Sequence, residues 1–212
     1  MAYLALILSQ IMVGNMKNFA YVIGDEGTRR GVLIDPSYDL DNIVGTVRND
    51  GLEILYILNT HSHWDHTAGN KEASQRTGAK IVAHANAPTH KDIPVKDGDV
   101  LEVGNLRINV MHTPGHCPDS VCFFVDGLLF TGDTLFVGNC GRTDLPGGDP
   151  AELYDSFTQK ILKLDDSIKI YPGHDYGSRL SSSLRYEKRH NYSLQPRSKE
   201  EFVRMMTAPL RA

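Results

Sequence analysis

The densest chemistry in this chain lies in Thr60-His61-Ser62-His63-Trp64-Asp65-His66, where four side chains able to bind a metal fall within six residues. The run follows Leu52–Asn59, an apolar stretch rich in Ile and Leu that predicts a buried strand. Imidazoles and a carboxylate at the edge of a core need partners, because removing them from water unpaired is costly. A cation supplies that partner. If extended geometry continues past the strand, His61, His63 and Asp65 share one face with period two, while a turn near Asp65 carries His66 to a neighbouring position. Such spacing can feed two adjacent ions.

Three more ligand-type residues stand in similar settings, each in a glycine-containing loop directly after a predicted strand. They are His116 in His112-Thr113-Pro114-Gly115-His116, Asp133 in Phe130-Thr131-Gly132-Asp133-Thr134, and His174 in Tyr171-Pro172-Gly173-His174-Asp175. Glycine lets backbone approach an ion closely, and proline stiffens the turn that presents the ligand. All three can converge on the first cluster.

The ordered set HxHxDH, then His, then Asp, then His resembles the signature of the metallo-β-lactamase-fold superfamily, and the likeness covers nearly the whole chain. The resemblance implies an α/β fold, the four-layer αββα sandwich. It implies one metal site at His61, His63 and His116, a second at Asp65, His66 and His174, and the Asp133 carboxylate between them. Two divalent ions are then expected, zinc first, with iron or a mixed pair as alternatives. Two such cations about 3.5–4 Å apart lower the pKa of a shared water toward 7 and supply hydroxide for attack on a polarised carbonyl. Asp65 and Asp133 belong to this catalytic machinery, Asp65 as the group that orients the water. Tyr176 is the candidate donor for the leaving group.

Two branches of the superfamily come forward. Thr131-Gly132-Asp133-Thr134-Leu135-Phe136, with Cys140-Gly141-Arg142, is similar to the hydroxyacylglutathione hydrolases (glyoxalase II), which cleave thioesters of glutathione. That implies a metal-dependent hydrolase and a small anionic thiol-derived substrate such as a glutathione conjugate. The C-terminal helical domain of that branch is much longer than the tail here. Cys140-Gly141-Arg142-Thr143-Asp144 and Ser198-Lys199-Glu200-Glu201-Phe202 are similar to persulfide dioxygenases. Those hold one ferrous ion by the equivalents of His61, His116 and Asp133, a two-histidine, one-carboxylate triad open to oxygen and glutathione persulfide. The continuation Leu145-Pro146-Gly147-Gly148 is closer to short hydrolase members, so the hydrolase leads. A non-catalytic metal-binding module is the third reading, and the complete ligand set argues against it.

Charge outside the cluster is less specific. Arg142 and Asp144 share a glycine-rich loop close after Asp133, where an internal ion pair bracing the loop competes evenly with a substrate carboxylate on Arg142. Residues 175–212 hold eight Lys or Arg against four acids, a net +4 in a chain of net −4. Most of these are expected on a solvated helix surface, with Arg185, Lys188 and Arg189 as candidates to meet an anionic substrate. His84, His90, His112 and His190 lack metal spacing, and only His112, at a strand end, is a candidate to support the ligands. Cys117 adjoins a ligand yet reads first as a small buried side chain, and Trp64 as structural.

Length and composition frame the rest. At 212 residues, 41% hydrophobic and 23% charged, the chain predicts one globular domain over 1–212 with a short basic helical tail at about 175–212. A net charge of −4 argues against nucleic acid, and no apolar run is long enough to cross a membrane. Three irregularly spaced cysteines fit a reducing compartment, so a cytoplasmic location is expected. Strands are predicted at Tyr3–Met12, Asn18–Ile23, Gly31–Ile34, Leu52–Asn59, Lys80–Ala83, Asp99–Glu102, Leu106–His112, Ser120–Val125, Leu128–Thr131 and Ser167–Tyr171. A polar loop is predicted around His84, His90 and Pro94. Helices are predicted from an Asp39 cap to Arg48, over Asn70–Thr77, and from Pro150 to about Lys163, with shorter ones in the tail. Two strand-rich halves with helices outside give the same layered sandwich.

Overall fold

The computed structural model describes residues 6–208, so the first residues of the expected Tyr3–Met12 strand, and Arg211 of the tail, lie outside the described residues. β1 (Leu6–Val13), β2 (Asn18–Asp25) and β3 (Arg30–Ile34) form an antiparallel meander. From β3 the sheet continues in parallel through β4 (Glu53–Leu58), β5 (Lys80–His84) and β6 (Ile93–Val95). The last of these lies inside the expected polar loop, with Pro94 at the sheet edge where its missing N–H costs no ladder bond. Helix α1 (Leu40–Asn49), the single turn α2 (Trp64–Thr67) and α3 (Asn70–Thr77) lie between these strands in sequence.

A second six-stranded sheet runs in the order β12-β11-β10-β9-β8-β7. It comprises β7 (Val100–Val103), β8 (Leu106–His112), β9 (Val121–Val125), β10 (Leu128–Gly132), β11 (Lys169–Pro172) and the two-residue β12 (Ser182–Ser183). Helix α4 (Pro150–Gln159) makes the crossover between β10 and β11, which pair in parallel. Its start is fixed by Asp149, whose carboxylate accepts from Ala151 N at 2.7 Å, with Pro150 at the first helical position. It ends at Gln159, short of the expected Lys163, and a 3₁₀ turn over Ile161–Lys163 completes the segment. The tail adds α5 (Leu184–His190) and α6 (Lys199–Thr207), the latter opened by a reciprocal Ser198–Glu201 capping box.

Three apolar cores separate four layers. Between the sheets, Phe19, Tyr21, Ile23, Val32, Ile34, Leu58 and Val82 meet Ile108, Val110, Val121, Phe123, Val125 and Phe130. On the outer face of the first sheet, the alternate residues Ala20, Val22, Leu33 and Ile57 pack against Leu40, Ile43 and Val47 of α1 and Ala73 of α3. Leu129 and Ile170 of the second sheet meet Leu153 and Phe157 of α4, Leu184 of α5 and Phe202 of α6. Central strands are therefore covered on both faces, which is why β2, β3, β9 and β10 are buried almost throughout, while β8 nearer the edge alternates. The αββα sandwich is the observed fold.

Asp39 departs from the expected capping role. It sits in a left-handed conformation (φ 52°), makes no side-chain cap bond, and accepts Gly14 N at 2.8 Å instead. Aspartate tolerates this conformation, and the bond ties α1 to the β1–β2 turn. Among the described residues, no helix is long and apolar enough to cross a membrane.

Phe123 lies in the inter-sheet core with no exposure. Phe123→Ala is expected to cost about 3–5 kcal/mol in denaturant unfolding. Metal content per folded molecule, measured alongside, is expected to stay unchanged.

Candidate metal centre

Every expected ligand stands beyond the C-terminal end of a strand. His61, His63, Asp65 and His66 follow β4, His116 follows β8, Asp133 follows β10 and His174 follows β11. Extended geometry does not continue through the first cluster. β4 stops at Leu58, and the one-turn helix α2 begins at Trp64, so a compact turn rather than period-two alternation presents these four side chains. Backbone bonds hold the loops together: Val121 N to Thr60 O at 2.7 Å, Phe19 N to Gly173 O at 2.8 Å, and Gly173 N to Gly132 O at 2.8 Å. Gly173 has no room for a side chain. A Cβ there would lie 2.5 Å from Asp133 Oδ1 and 3.0 Å from the His66 ring.

The inner atoms form two triads. His63 Nδ1 lies 3.1 Å from His61 Nε2 and 3.0 Å from His116 Nε2. His66 Nε2 and His174 Nε2 are 3.1 Å apart, each 3.5 Å from Asp65 Oδ2. Asp133 spans both, with Oδ2 3.6 Å from His116 Nε2 and 3.4 Å from His174 Nε2. Ligand atoms at about 2.0–2.1 Å from a tetrahedral ion lie about 3.3–3.4 Å from one another, so these edges suit a metal. Asp133 Oδ1 is buried with no hydrogen-bond partner among the described residues, an acceptor aimed into the same space. The residues present therefore fit two divalent ions.

Each histidine is held from behind. His66 Nδ1 donates to Asp35 Oδ2 at 2.9 Å, His174 Nδ1 to Met16 O at 2.9 Å, and His116 Nδ1 to Arg142 O at 2.7 Å. Thr60 Oγ1 donates to Asp35 Oδ2 at 2.6 Å and so accepts from His61 Nδ1 at 3.1 Å. His63 Nε2 faces Cys117 Sγ at 3.2 Å. The network thus assigns the N–H of His61, His66, His116 and His174 to the outer Nδ1 and leaves Nε2 of each facing inward, as metal ligation requires. Asn18 Nδ2 donates to Asp65 Oδ2 at 2.9 Å. Neither Asn18 nor Asp35 is among the expected site residues. The available signal for Asp35 is an acid between the apolar β3 and Pro36, buried in the fold.

Electrostatics divide the two triads. Burial, then the neighbouring His66, pushes the His61 pKa down, and burial likewise lowers His63. Burial alone would raise the carboxyls of Asp65 and Asp133, but His174 and His66 hold both below the ordinary range. Burial would lower His66 and His174. Asp133 and Asp35 nonetheless raise His66, and Asp133 with Asp65 carries His174 to about 10. Protons and a divalent ion therefore compete for the second triad.

The remaining expectations divide. Tyr176 lines the pocket, stacked on the His174 ring at 4.5 Å. Arg142 lines it too, and its guanidinium grips Asp144 through two 2.6 Å bonds, so the loop holds an internal pair rather than a free cation. Arg185, Lys188 and Arg189 are not among the described lining residues. Lys188 Nζ bonds Leu164 O and Asp166, and Arg185 N bonds Asp166 O, at the β11 end opposite His174. The tail does not bring them to the centre, because α5 packs back along the outer face through Leu184. Trp64 is 63% exposed at the pocket mouth rather than structural. Burial raises the thiol pKa of Cys117 to about 12 and of Cys140 to about 11, and Cys117 stands with His61, His63 and His116 among the side chains that could hold an ion. His112 Nε2 donates to Pro118 O at 2.9 Å, bracing the loop that carries His116.

The fold is an αββα sandwich whose clustered histidines and carboxylates could hold divalent ions. The family model of the metallo-beta-lactamase superfamily matches residues 13–92 and 87–174, and the chain belongs to that superfamily. It is 38% identical over 189 residues to a hydroxyacylglutathione hydrolase of Polaromonas, covering 85% of this chain and 70% of that one. It is 34% identical over 208 residues to the mitochondrial persulfide dioxygenase ETHE1 of Homo sapiens, covering 95% and 80%. The crystal structure of ETHE1 from Myxococcus xanthus superposes with a TM-score of 0.91 at 37% identity, covering 97% of this chain and 92% of that one.

A divalent ion entering the second triad must expel the proton on His174, and competes with protonation of His66, whose pKa is also raised. Affinity there is expected to rise with pH across the neutral range and to level off near the His174 value of about 10. Calorimetry in buffers of different ionisation enthalpy is expected to register net proton release at pH 7. Removing the His63 partner by Cys117→Ala is expected to weaken one metal site about 10–100-fold in competition titrations, and Cys117→Ser to recover most of the loss. Equal affinity in all three proteins would show that the contact does not hold the ring.

Proposed function

We propose that this chain is a two-metal hydrolase of thioesters, with hydroxyacyl thioesters of glutathione as reference substrates. One observation carries the reading. Two groups, His61, His63 and His116 with Cys117 beside them, and Asp65, His66 and His174, are each compact and are joined by Asp133, an arrangement suited to a pair of ions rather than one. His61, His63, Asp65, His66, His116, Asp133 and His174 would hold the two divalent ions, which when bound would supply a water of lowered pKa and a Lewis acid for the thioester carbonyl.

The chain's own groups do the rest. Asp65, fixed by Asn18, orients the attacking water and accepts its hydrogen bond. Asp133 keeps the two halves of the site in register. The Tyr176 hydroxyl stays protonated, because burial and then Asp133 and Asp65 raise its pKa, and it donates to the departing sulfur. A carbon–oxygen bond forms and the carbon–sulfur bond breaks. Water leaves its oxygen on the acid and its proton on the thiol. The hydroxyacylglutathione hydrolase likeness supports this assignment.

A second reading, oxidation of a persulfide at one ferrous ion on His61, His116 and Asp133, is favoured by the near-complete overlap with the Myxococcus xanthus structure. It predicts a different metal count. In either reading the substrate is a small thiol derivative, and three free, buried cysteines support a reducing, cytoplasmic setting.

Asp133→Ala is expected to lower bound metal and to reduce turnover about a thousandfold or more while far-ultraviolet circular dichroism stays unchanged. Metal analysis of protein purified without added metal, with S-lactoylglutathione hydrolysis and oxygen uptake on glutathione persulfide, separates the readings. Two zincs with thioester turnover support the hydrolase. One iron with oxygen consumption replaces it by the dioxygenase.

A further inference from the structure

The pocket over the metal centre has a volume of about 530 Å³, in the range of small-molecule sites. Apart from Tyr176, assigned to the departing sulfur, its non-ligand wall is largely apolar: Met16, Trp64, Phe136, Leu145 and Pro146. Two of these leave large apolar surface in water, Trp64 at 63% and Met16 at 41% exposure. Grouped at one opening, such side chains mark a surface that binds apolar matter.

These groups are also anchored to the ligand-bearing residues. Met16 O holds His174 Nδ1, Tyr176 stacks on the His174 ring, and Phe136 meets both rings edge-on at 5.8 and 5.4 Å. Trp64 stands between His63 and Asp65 in the chain and meets Tyr38 edge-on at 6.1 Å. The apolar wall is therefore positioned relative to the reacting carbonyl before substrate arrives, which lowers the ordering cost of binding.

Charge recognition is weak by comparison. Among the described lining residues, Arg142 is the one Lys or Arg, and Asp144 already holds it in a bidentate pair.

We infer that the pocket selects its thioester by an apolar acyl arm, branched aliphatic or aromatic, and accepts the thiol carrier without reading its charge. This rests on the hydrolase reading and deepens it. Each acyl methylene that enters the wall should raise kcat/KM about fourfold until the wall is filled.

The test uses metal-loaded protein and acetyl, butyryl, 3-methylbutyryl and phenylacetyl thioesters, each on glutathione and on the uncharged thiol N-acetylcysteamine. The inference expects a steep rise with acyl size, carriers matched within about threefold, and no salt dependence of that match. Trp64→Ala should flatten the rise. A binding readout runs in parallel, since Trp64 is the chain's single tryptophan and its emission reports the pocket. Uncleavable thioethers with the same arms should shift that emission, with Kd falling as the arm grows. Turnover that is flat across acyl groups, or a glutathione preference above about tenfold that salt abolishes, overturns this inference and leaves the hydrolase standing. Failure of every thioester to hydrolyse overturns both.

Discussion

Five imidazoles and two carboxylates meet in a space that the protein alone cannot satisfy. Their ligand atoms approach to 3.0–3.6 Å, and Asp133 Oδ1 finds no donor among the described residues. Buried charges and lone pairs at that density require either protons or cations. The raised pKa values of His66 and His174 mark where protons meet that need, and the outer hydrogen bonds leave the inner nitrogens free to meet a cation instead. Several local features follow from this requirement: Asp35 at φ 48° to reach both Thr60 and His66, Gly173 without a side chain beside Asp133, and Asn18 at the head of β2 to hold Asp65.

The candidate ligand set is legible from sequence because metal chemistry restricts residue type. Histidine, acid or cysteine must serve, so seven such residues in order, each after an apolar run, stand out as candidates. Helix α1 is legible for another reason: Leu40, Ile43, Val44 and Val47 keep helical spacing, and all four are buried. What escapes depends on distance. Asp35 acts on residues 25 and 31 positions away, and Asn18 on one 47 away, so neither role has a local pattern. Strand β6 has three residues with proline at its centre, and β12 has two, below the length at which periodicity carries information.

In the basic tail, net charge is readable but its direction is not, because Leu184 and Phe202 dock the tail on the outer core. Lys188 consequently finds Asp166 and a carbonyl at the far end of β11. Trp64 shows the reverse. An isolated tryptophan beside metal ligands looks like packing material, yet the one-turn helix that delivers Asp65 and His66 inward turns the indole toward water.

Each triad draws residues from both sheets: His61 and His63 follow β4 while His116 follows β8, and Asp65 and His66 follow β4 while His174 follows β11. An ion held there is consequently a cross-link between the two halves of the sandwich, closing long loops of chain in the manner of a staple. Any species that grips the native arrangement and not the open chain shifts the folding balance in proportion to its own supply. Metal availability in the cell would thus govern how much of this polypeptide survives, as well as how fast it works.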